Sequence, residues 1–203
     1  MFTGIVEHVG HVGFVRDAGP ARAVRIEAPD LAASLRAGDS VAVNGVCLTV
    51  ERADAGGFEA TAVFETLART TLGEWKGGAR VNLEPAATMD RRFGGHLVQG
   101  HVDGVGRVTA FDGDEAGDRT LEVELPDDVH DLCVDKGSIA IDGMSLTIAC
   151  RRGERRISIA IVPHTLRNTI AGAYRPGARV NVEADVVARY VREYVRRYQS
   201  APR

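Results

Sequence analysis

Cysteine is scarce in this 203-residue chain, charge is nearly balanced, and no long apolar run occurs. Each scarcity excludes something. Cys47, Cys133 and Cys150 form an odd set without paired spacing, so a disulfide framework is not expected and a reducing compartment fits. There is no C-x-x-C, and His96 and His101 in GGHLVQGH stand five apart, on opposite faces of a strand, so no metal site is expected. The acidic stretch DGDEAGDRTLEV from Asp112 fails as a calcium loop, because Ala116 and Val123 stand at ligand positions and no Glu closes it. It reads as an acidic hairpin turn. With 25 Lys and Arg against 28 Asp and Glu, the net charge of −3 does not suit a polyanion surface, and no nucleic-acid partner is expected. The run of roughly 18 apolar residues that a membrane span needs is missing, and MFTGIVEHVG shows no basic leader before an apolar core. A cytoplasmic protein without membrane association is the expectation.

What the sequence does contain, it contains twice. VAVNGVCLTV at Val41–Val50 returns as IAIDGMSLTI at Ile139–Ile148. ETLARTTLGEWKGGARVNLEPA from Glu65 returns as HTLRNTIAGAYRPGARVNVEAD from His164, and GIVEHVGHV from Gly4 as GHVDGVGRV from Gly100. Three blocks in one order at a nearly constant offset mean tandem duplication. Two long copies argue for two similar domains, since solenoid units are shorter and need about three or more copies. The expected division is residues 1–97, 98–186 and a terminal segment 187–203.

Within each half, short Val- and Ile-rich runs alternate apolar with polar residues and are separated by Gly, Asp, Asn or Pro. About six such strands in so short a length suggest a closed barrel, because closure removes exposed edges. The expected fold is all-β: two tandem, similar, six-stranded Greek-key-like barrels followed by a C-terminal α-helix. Short helices are expected at Glu65–Leu72 and His164–Ile170. From Asp185 to Gln199, Val187, Tyr190, Val191, Tyr194, Val195 and Tyr198 recur at helical spacing with arginines between them. This amphipathic helix either caps its own domain or meets the same helix of other subunits.

The repeat is most informative where its copies differ. Asn44-Gly45 and Asp142-Gly143 are tight-turn signals, and beyond them Cys47 and Thr49 share one strand face, as Ser145 and Thr147 do in the second copy. A buried thiol and a satisfied hydroxyl are the bland reading of either copy alone. A retained scaffold with an exchanged nucleophilic atom weakens it. His101 is likewise unmatched, its counterpart being Ile5, and imidazole suits proton transfer near neutral pH. Duplicated pockets with unequal walls suit a reaction between two copies of one molecule, one as donor and the other as acceptor.

At these residues the chain resembles the riboflavin synthase family, along MFTGIVE, NGVCLTV, ETLARTTLG, GGHLVQGHVDGVG, IDGMSLTI, PHTLRNTIAG and RVNVEADVVARYV. The resemblance spans nearly the whole chain. It implies lumazine-binding barrels, a homotrimer, and two 6,7-dimethyl-8-ribityllumazines meeting where the first domain of one subunit faces the second domain of a neighbour. A four-carbon unit passes between them without metal or redox cofactor, giving riboflavin and a ribitylamino-pyrimidinedione in the final step of riboflavin biosynthesis. Association with lumazine synthase is left open.

Carried onto this sequence, the resemblance lines a first site with Gly4, Ile5, Val6, Cys47, Leu48 and Thr49, together with Thr61, Ala62, Val63, Phe64, Glu65 and Thr66. The second site would use Gly100, His101, Val102, Lys136, Ser145, Leu146 and Thr147, together with Ala160, Ile161, Val162, Pro163, His164 and Thr165. Phe2, Thr3, Ser40, Asp142 and Asp185 complete the set. His101 is the expected proton relay, with Ser145 and Thr147 as hydroxyl partners. Water or Ser145 is the expected nucleophile at C7, Cys47 a contact or nucleophile, and Asp185 or Lys136 an orienting charge. The main alternative is a lumazine or flavin carrier of the same fold without turnover. A flavin-dependent reductase would need an α/β nucleotide domain with a Gly-rich phosphate loop, for which there is no motif. A purely structural two-barrel module leaves Cys47, His101 and Ser145 unexplained.

Overall fold

A computed structural model describes residues 1–90, 92–113 and 119–200. The centre of the acidic stretch after Asp112 and the last three residues of the terminal segment lie outside the described residues. The first half forms β1 (His8–Ala18), β2 (Ala21–Glu27), β3 (Ser40–Val43), β4 (Val46–Thr49), β5 (Arg52–Asp54), β6 (Gly57–Ala62) and β7 (Arg80–Pro85). A short α1 (Pro29–Ala32) follows β2, and α2 (Phe64–Arg69) with a 3₁₀ turn at Thr71–Glu74 joins β6 to β7. The second half repeats this with β8 (Gly104–Asp112), β9 (Arg119–Glu124), α3 (Asp127–His130), β10 (Ser138–Ile141), β11 (Met144–Arg152) and β12 (Arg156–Ile161). Then come α4 (Pro163–Asn168), a 3₁₀ turn at Ile170–Ala173, β13 (Arg179–Ala184) and α5 (Val186–Ser200). Each of the short helices expected at Glu65–Leu72 and His164–Ile170 is thus split into an α-turn and a 3₁₀ turn. The split falls at Thr70 and Thr169, whose hydroxyls accept from Leu72 N and Ala171 N.

Every strand pairing is antiparallel. The second half closes as β10-β11-β12-β9-β8-β13, and the first runs β4-β3-β7-β1-β2-β6-β5. Its two outer members are consecutive pieces of one chain segment, broken at Val50–Glu51, where Glu51 N donates to Glu59 O at 2.8 Å. In the second half the matching strand β11 runs unbroken through a bulge between Ile148 and Cys150. Both halves therefore follow one barrel path. Period-2 alternation sends Val24, Ile26, Val41, Val43, Phe58 and Leu83 into one core and Leu121, Val123, Ile139, Ile141, Ile157 and Ile159 into the other, each fully buried.

The halves meet back to back through paired asparagines. Asn82 N donates to Asn44 Oδ1 (2.7 Å) and Asn82 Nδ2 crosses to Asp142 O (2.9 Å). In mirror fashion Asn181 N donates to Asp142 Oδ1 (2.8 Å) and Asn181 Nδ2 crosses to Asn44 O (2.8 Å). Asn44 and Asp142 both adopt positive φ, as the tight-turn signals require. Beside this seam Phe2 and Val98 pair across a short antiparallel bridge and pack on Ala42 and Ala140.

Helix α5 is tied to its own barrel by polar groups. Arg189 pairs with Asp103 at 2.8 Å, and Arg192 Nη1 donates to Asp128 O at 3.1 Å. Its apolar stripe faces outward: Val187, Tyr190, Val191, Tyr194, Val195 and Tyr198 are all exposed, Tyr198 at 76%. In the single chain this stripe is not buried against its own domain. No described helix is long and apolar enough to cross a membrane.

Candidate active site

The tight turn at Asn44-Gly45 launches β4 so that Val46 and Leu48 point into the barrel while Cys47 is half-buried and Thr49 exposed. Ser145, half-buried, and Thr147, exposed, occupy the same places on β11. What covers each strand comes from the other half of the chain. Ser145 N donates to Gly4 O at 2.7 Å, and Cys47 N donates to Gly100 O at 2.9 Å. The segments Thr3–Val6 and Gly100–Val102 have thus exchanged barrels.

This crossing corrects the sequence expectation. Gly4, Ile5 and Val6 accompany Ser145, and Gly100, His101 and Val102 accompany Cys47. Within one chain, Ser145 and Thr147 are therefore not the neighbours of His101.

Close approach explains the glycines at the crossing. Gly4 and Gly100 have φ of +76° and +79°, and a Cβ on either would sit 2.7 Å from Ser145 Cβ or 2.5 Å from Cys47 Cβ. Buried carboxylates hold the crossing segments in place. Glu84 on β7 accepts from Thr3 N (2.7 Å), Thr3 Oγ1 (2.7 Å) and Gly4 N (2.9 Å). Glu183 on β13 accepts from Gln99 N (2.8 Å) and Gly100 N (2.9 Å). Burial pushes both carboxyls above their ordinary pKa, and these N–H bonds oppose the shift.

The first crossing encloses a partly open cavity of about 250 Å³ lined by Val46, Cys47, Glu65, Thr66, Arg69, Thr70, Gly100, His101 and Val102. Apolar walls from Val46 and Val102 meet a thiol and an imidazole, and the Glu65–Arg69 ion pair of α2 stands at the rim. At the second crossing, α4 presents His164 and Asn168 where α2 has Glu65 and Arg69, and Ile5 replaces His101. Here His96 Nδ1 lies 2.7 Å from Ser145 Oγ. Burial lowers the His96 pKa, opposed by the charge of Asp185. One side is a cavity with a thiol and an imidazole; the other holds a hydroxyl–imidazole pair.

The remaining expected residues divide by position. Val63, Phe64 and Val162 are exposed apolar residues where β6 and β12 run into α2 and α4, beside Pro163, His164 and Thr165. Thr61, Ala62, Ala160 and Ile161 end those strands, with Ala62 and Ile161 buried. Leu48 is a core residue at 3% exposure, and Leu146 packs against the second core. Ser40 opens β3, its carbonyl accepting from Ala86 N, and Lys136 adopts φ 66° in the turn before β10. Asp185 Oδ1 accepts from Val187 N at the start of α5.

Of the expected residues, Cys47, Glu65, Thr66, Gly100, His101 and Val102 line the cavity, and two others, Phe2 and Asp142, are buried at the seam between the halves. Phe2 is fully buried beside the seam. Asp142 is locked between Tyr174 Oη (2.6 Å) and Asn181 N (2.8 Å), and burial pushes its pKa up to about 7. Sequence reasoning missed Glu84 and Glu183, which alternation in RVNLEPA and RVNVEAD puts on the face away from the barrel core, and treated His96 only as a failed metal ligand.

Comparison with known proteins gives three results. The family described as the lumazine binding domain matches residues 3–86 and again 99–185. Riboflavin synthase of Mycobacterium tuberculosis (strain ATCC 25618 / H37Rv) is 44% identical over 199 residues, covering 97% of this chain and 98% of the relative. Those of Actinobacillus pleuropneumoniae and Bacillus subtilis (strain 168) are 39% and 36% identical, each covering 96% of this chain and 90% of the relative. Among solved structures, LumP complexed with 6,7-dimethyl-8-(1'-D-ribityl) lumazine superposes with a TM-score of 0.81 and LumP complexed with riboflavin with 0.84. Each is 26% identical and covers 91% of this chain and 99% of that chain.

Proposed function

The chain belongs to the lumazine-binding-domain family that includes the riboflavin synthases, and from that premise we propose that it makes riboflavin by dismutating two 6,7-dimethyl-8-ribityllumazine molecules. It acts as a transferase: one lumazine gives a four-carbon unit to the other and leaves as 5-amino-6-(D-ribitylamino)uracil. The observation that carries this reading is the crossing of Gly100–Val102 onto Cys47, which gives one chain two chemically unlike lumazine sites instead of two equal ones. The carrier reading draws on the 26% likeness to LumP, but relatives at 36–44% identity over nearly the whole chain are synthases.

In the first site, Val46 and Val102 flank the heterocycle, and His101 takes a proton from the acidic C7 methyl of the acceptor. Conjugation spreads the resulting negative charge over the ring. In the second site a nucleophile adds at C7 of the donor. Holding the two rings in register contributes roughly 7–11 kcal/mol, against about 10²–10⁴-fold from one acid or base. Positioning is the larger effect. The family resemblance implies a homotrimer in the cytoplasm, with sites built where residues 1–97 of one subunit meet residues 98–186 of the next, and the exposed apolar stripe of α5 offers a surface for that contact. The test is to mix the purified protein with 6,7-dimethyl-8-ribityllumazine and no added cofactor. Riboflavin appearing with two lumazines consumed for each one formed supports the reading, and tight binding without turnover marks a carrier.

A further inference from the structure

His96 lies in the connection between the halves, five residues ahead of His101. The connection passes directly over Ser145: a Cβ on Gly95 would meet Ser145 Cβ at 2.9 Å and Oγ at 3.0 Å. His96 N donates to Thr3 O at 3.1 Å, which fixes the backbone, and Nδ1 then reaches Ser145 Oγ at 2.7 Å. Nε2 is buried with no hydrogen-bond partner among the described residues. The cavity around Cys47 holds a different imidazole, His101, brought in by the crossing segment. Only one member of the duplicated pair therefore has a hydroxyl seated on a histidine.

We propose that His96 is the general base that turns Ser145 into the nucleophile for the donor lumazine, which places the four-carbon donor in the second site. This rests on the dismutation proposed above. As Oγ bonds to C7, the C6–C7 π pair moves through the conjugated ring onto N1 of the pyrimidine. The hydroxyl proton passes to His96 Nδ1, and no oxidant or reductant takes part. With Nδ1 accepting from the hydroxyl, the ring proton of the neutral imidazole sits on Nε2. Burial favours that neutral form, and the nearby Asp185 charge steadies the imidazolium once it forms.

The experiment compares His96→Gln, Ser145→Ala and the double variant in steady-state turnover, alongside fluorescence titration with lumazine. Gln approximates the size of the imidazole and has no basic nitrogen. The expected result is a loss of about 10²–10⁴-fold for His96→Gln with lumazine still bound. Ser145→Ala falls as far, and the double variant falls no further than either single, as for residues that act as one unit. Turnover within a few-fold of the starting protein for His96→Gln, or losses that multiply in the double variant, overturns the assignment. If the Gln variant no longer binds lumazine, His96→Asn takes its place with the same outcomes. A starting protein that turns over no lumazine overturns the dismutation itself, whereas an active one indifferent to His96 overturns only the base.

Discussion

The amide of Cys47 donates to the carbonyl of Gly100 at 2.9 Å, so a first-half nucleophile candidate and the backbone that carries His101 share one hydrogen bond. The same bond between Ser145 and Gly4 makes the exchange reciprocal. Each site is consequently sensitive to residues of the opposite half.

Gly100→Ala is expected to damage the first site alone. Its Cβ would collide with Cys47 at a positive φ, a backbone cost of about 1–3 kcal/mol before the clash is counted. Gly4→Ala should do the same at the second site. Titration with lumazine reads this as one site lost per chain, a different one in each variant. Equal weakening of both sites by either variant would contradict the pairing.

Glu183→Gln is expected to loosen the first site, although Glu183 belongs to the second barrel. Its carboxylate accepts from Gln99 N and Gly100 N, and an amide NH₂ would face one of those donors. The expected stability loss is about 1–3 kcal/mol by urea unfolding. Lumazine affinity should fall at the first site, whereas Glu84→Gln should act at the second. A melt and titration unchanged for both variants would remove the carboxylates from this role.

Asp142 makes stability depend on pH. Its folded pKa of about 7 lies above the ordinary 3.8, so folding is favoured by its protonated form. That contribution is complete below the unfolded value and is lost as pH rises from about 4 through about 7, the unfolding free energy falling by up to about 1.4 kcal/mol for each pH unit crossed. Asp142→Asn installs the residue that the first half has at Asn44, and the slope of unfolding free energy over this range should flatten. An unchanged slope would mean that Asp142 is already ionised in the folded protein.

Replacing Tyr190 and Tyr194 with Ser should leave each barrel folded and disperse the proposed trimer. Both are 72% exposed, and neither makes the Arg189 and Arg192 contacts that hold α5 on its barrel. Light scattering should report monomers, and turnover should fall with the loss of shared sites. Full turnover in the monomer would rule out sites shared between subunits.

The barrels were legible in the sequence because alternation and turn chemistry are local. Val46, Leu48 and Val50 on one face, with Asn44-Gly45 before them, suffice to place Cys47 on the other. The crossing was not legible, because Gly4–Val12 and Gly100–Val108 carry nearly the same pattern and nothing in it says which barrel each segment joins. Glu84 and Glu183 sit at positions that would face solvent in an isolated barrel and are buried only because another segment lies over them. His96 escaped notice for a related reason. It lies between the repeats, so comparing the two copies says nothing about it, and its partner Ser145 is distant in sequence.

The crossing and the shared sites are tested together by mixing two defective chains. His101→Ala disables the first site of its chain and Ser145→Ala the second, so each homotrimer should be nearly inactive. Trimers reassembled from an equal mixture join an intact first site on one subunit to an intact second site on its neighbour, and about a quarter of normal turnover should return. If both residues belonged to one site, or sites did not span subunits, the mixture would stay as inactive as its parts.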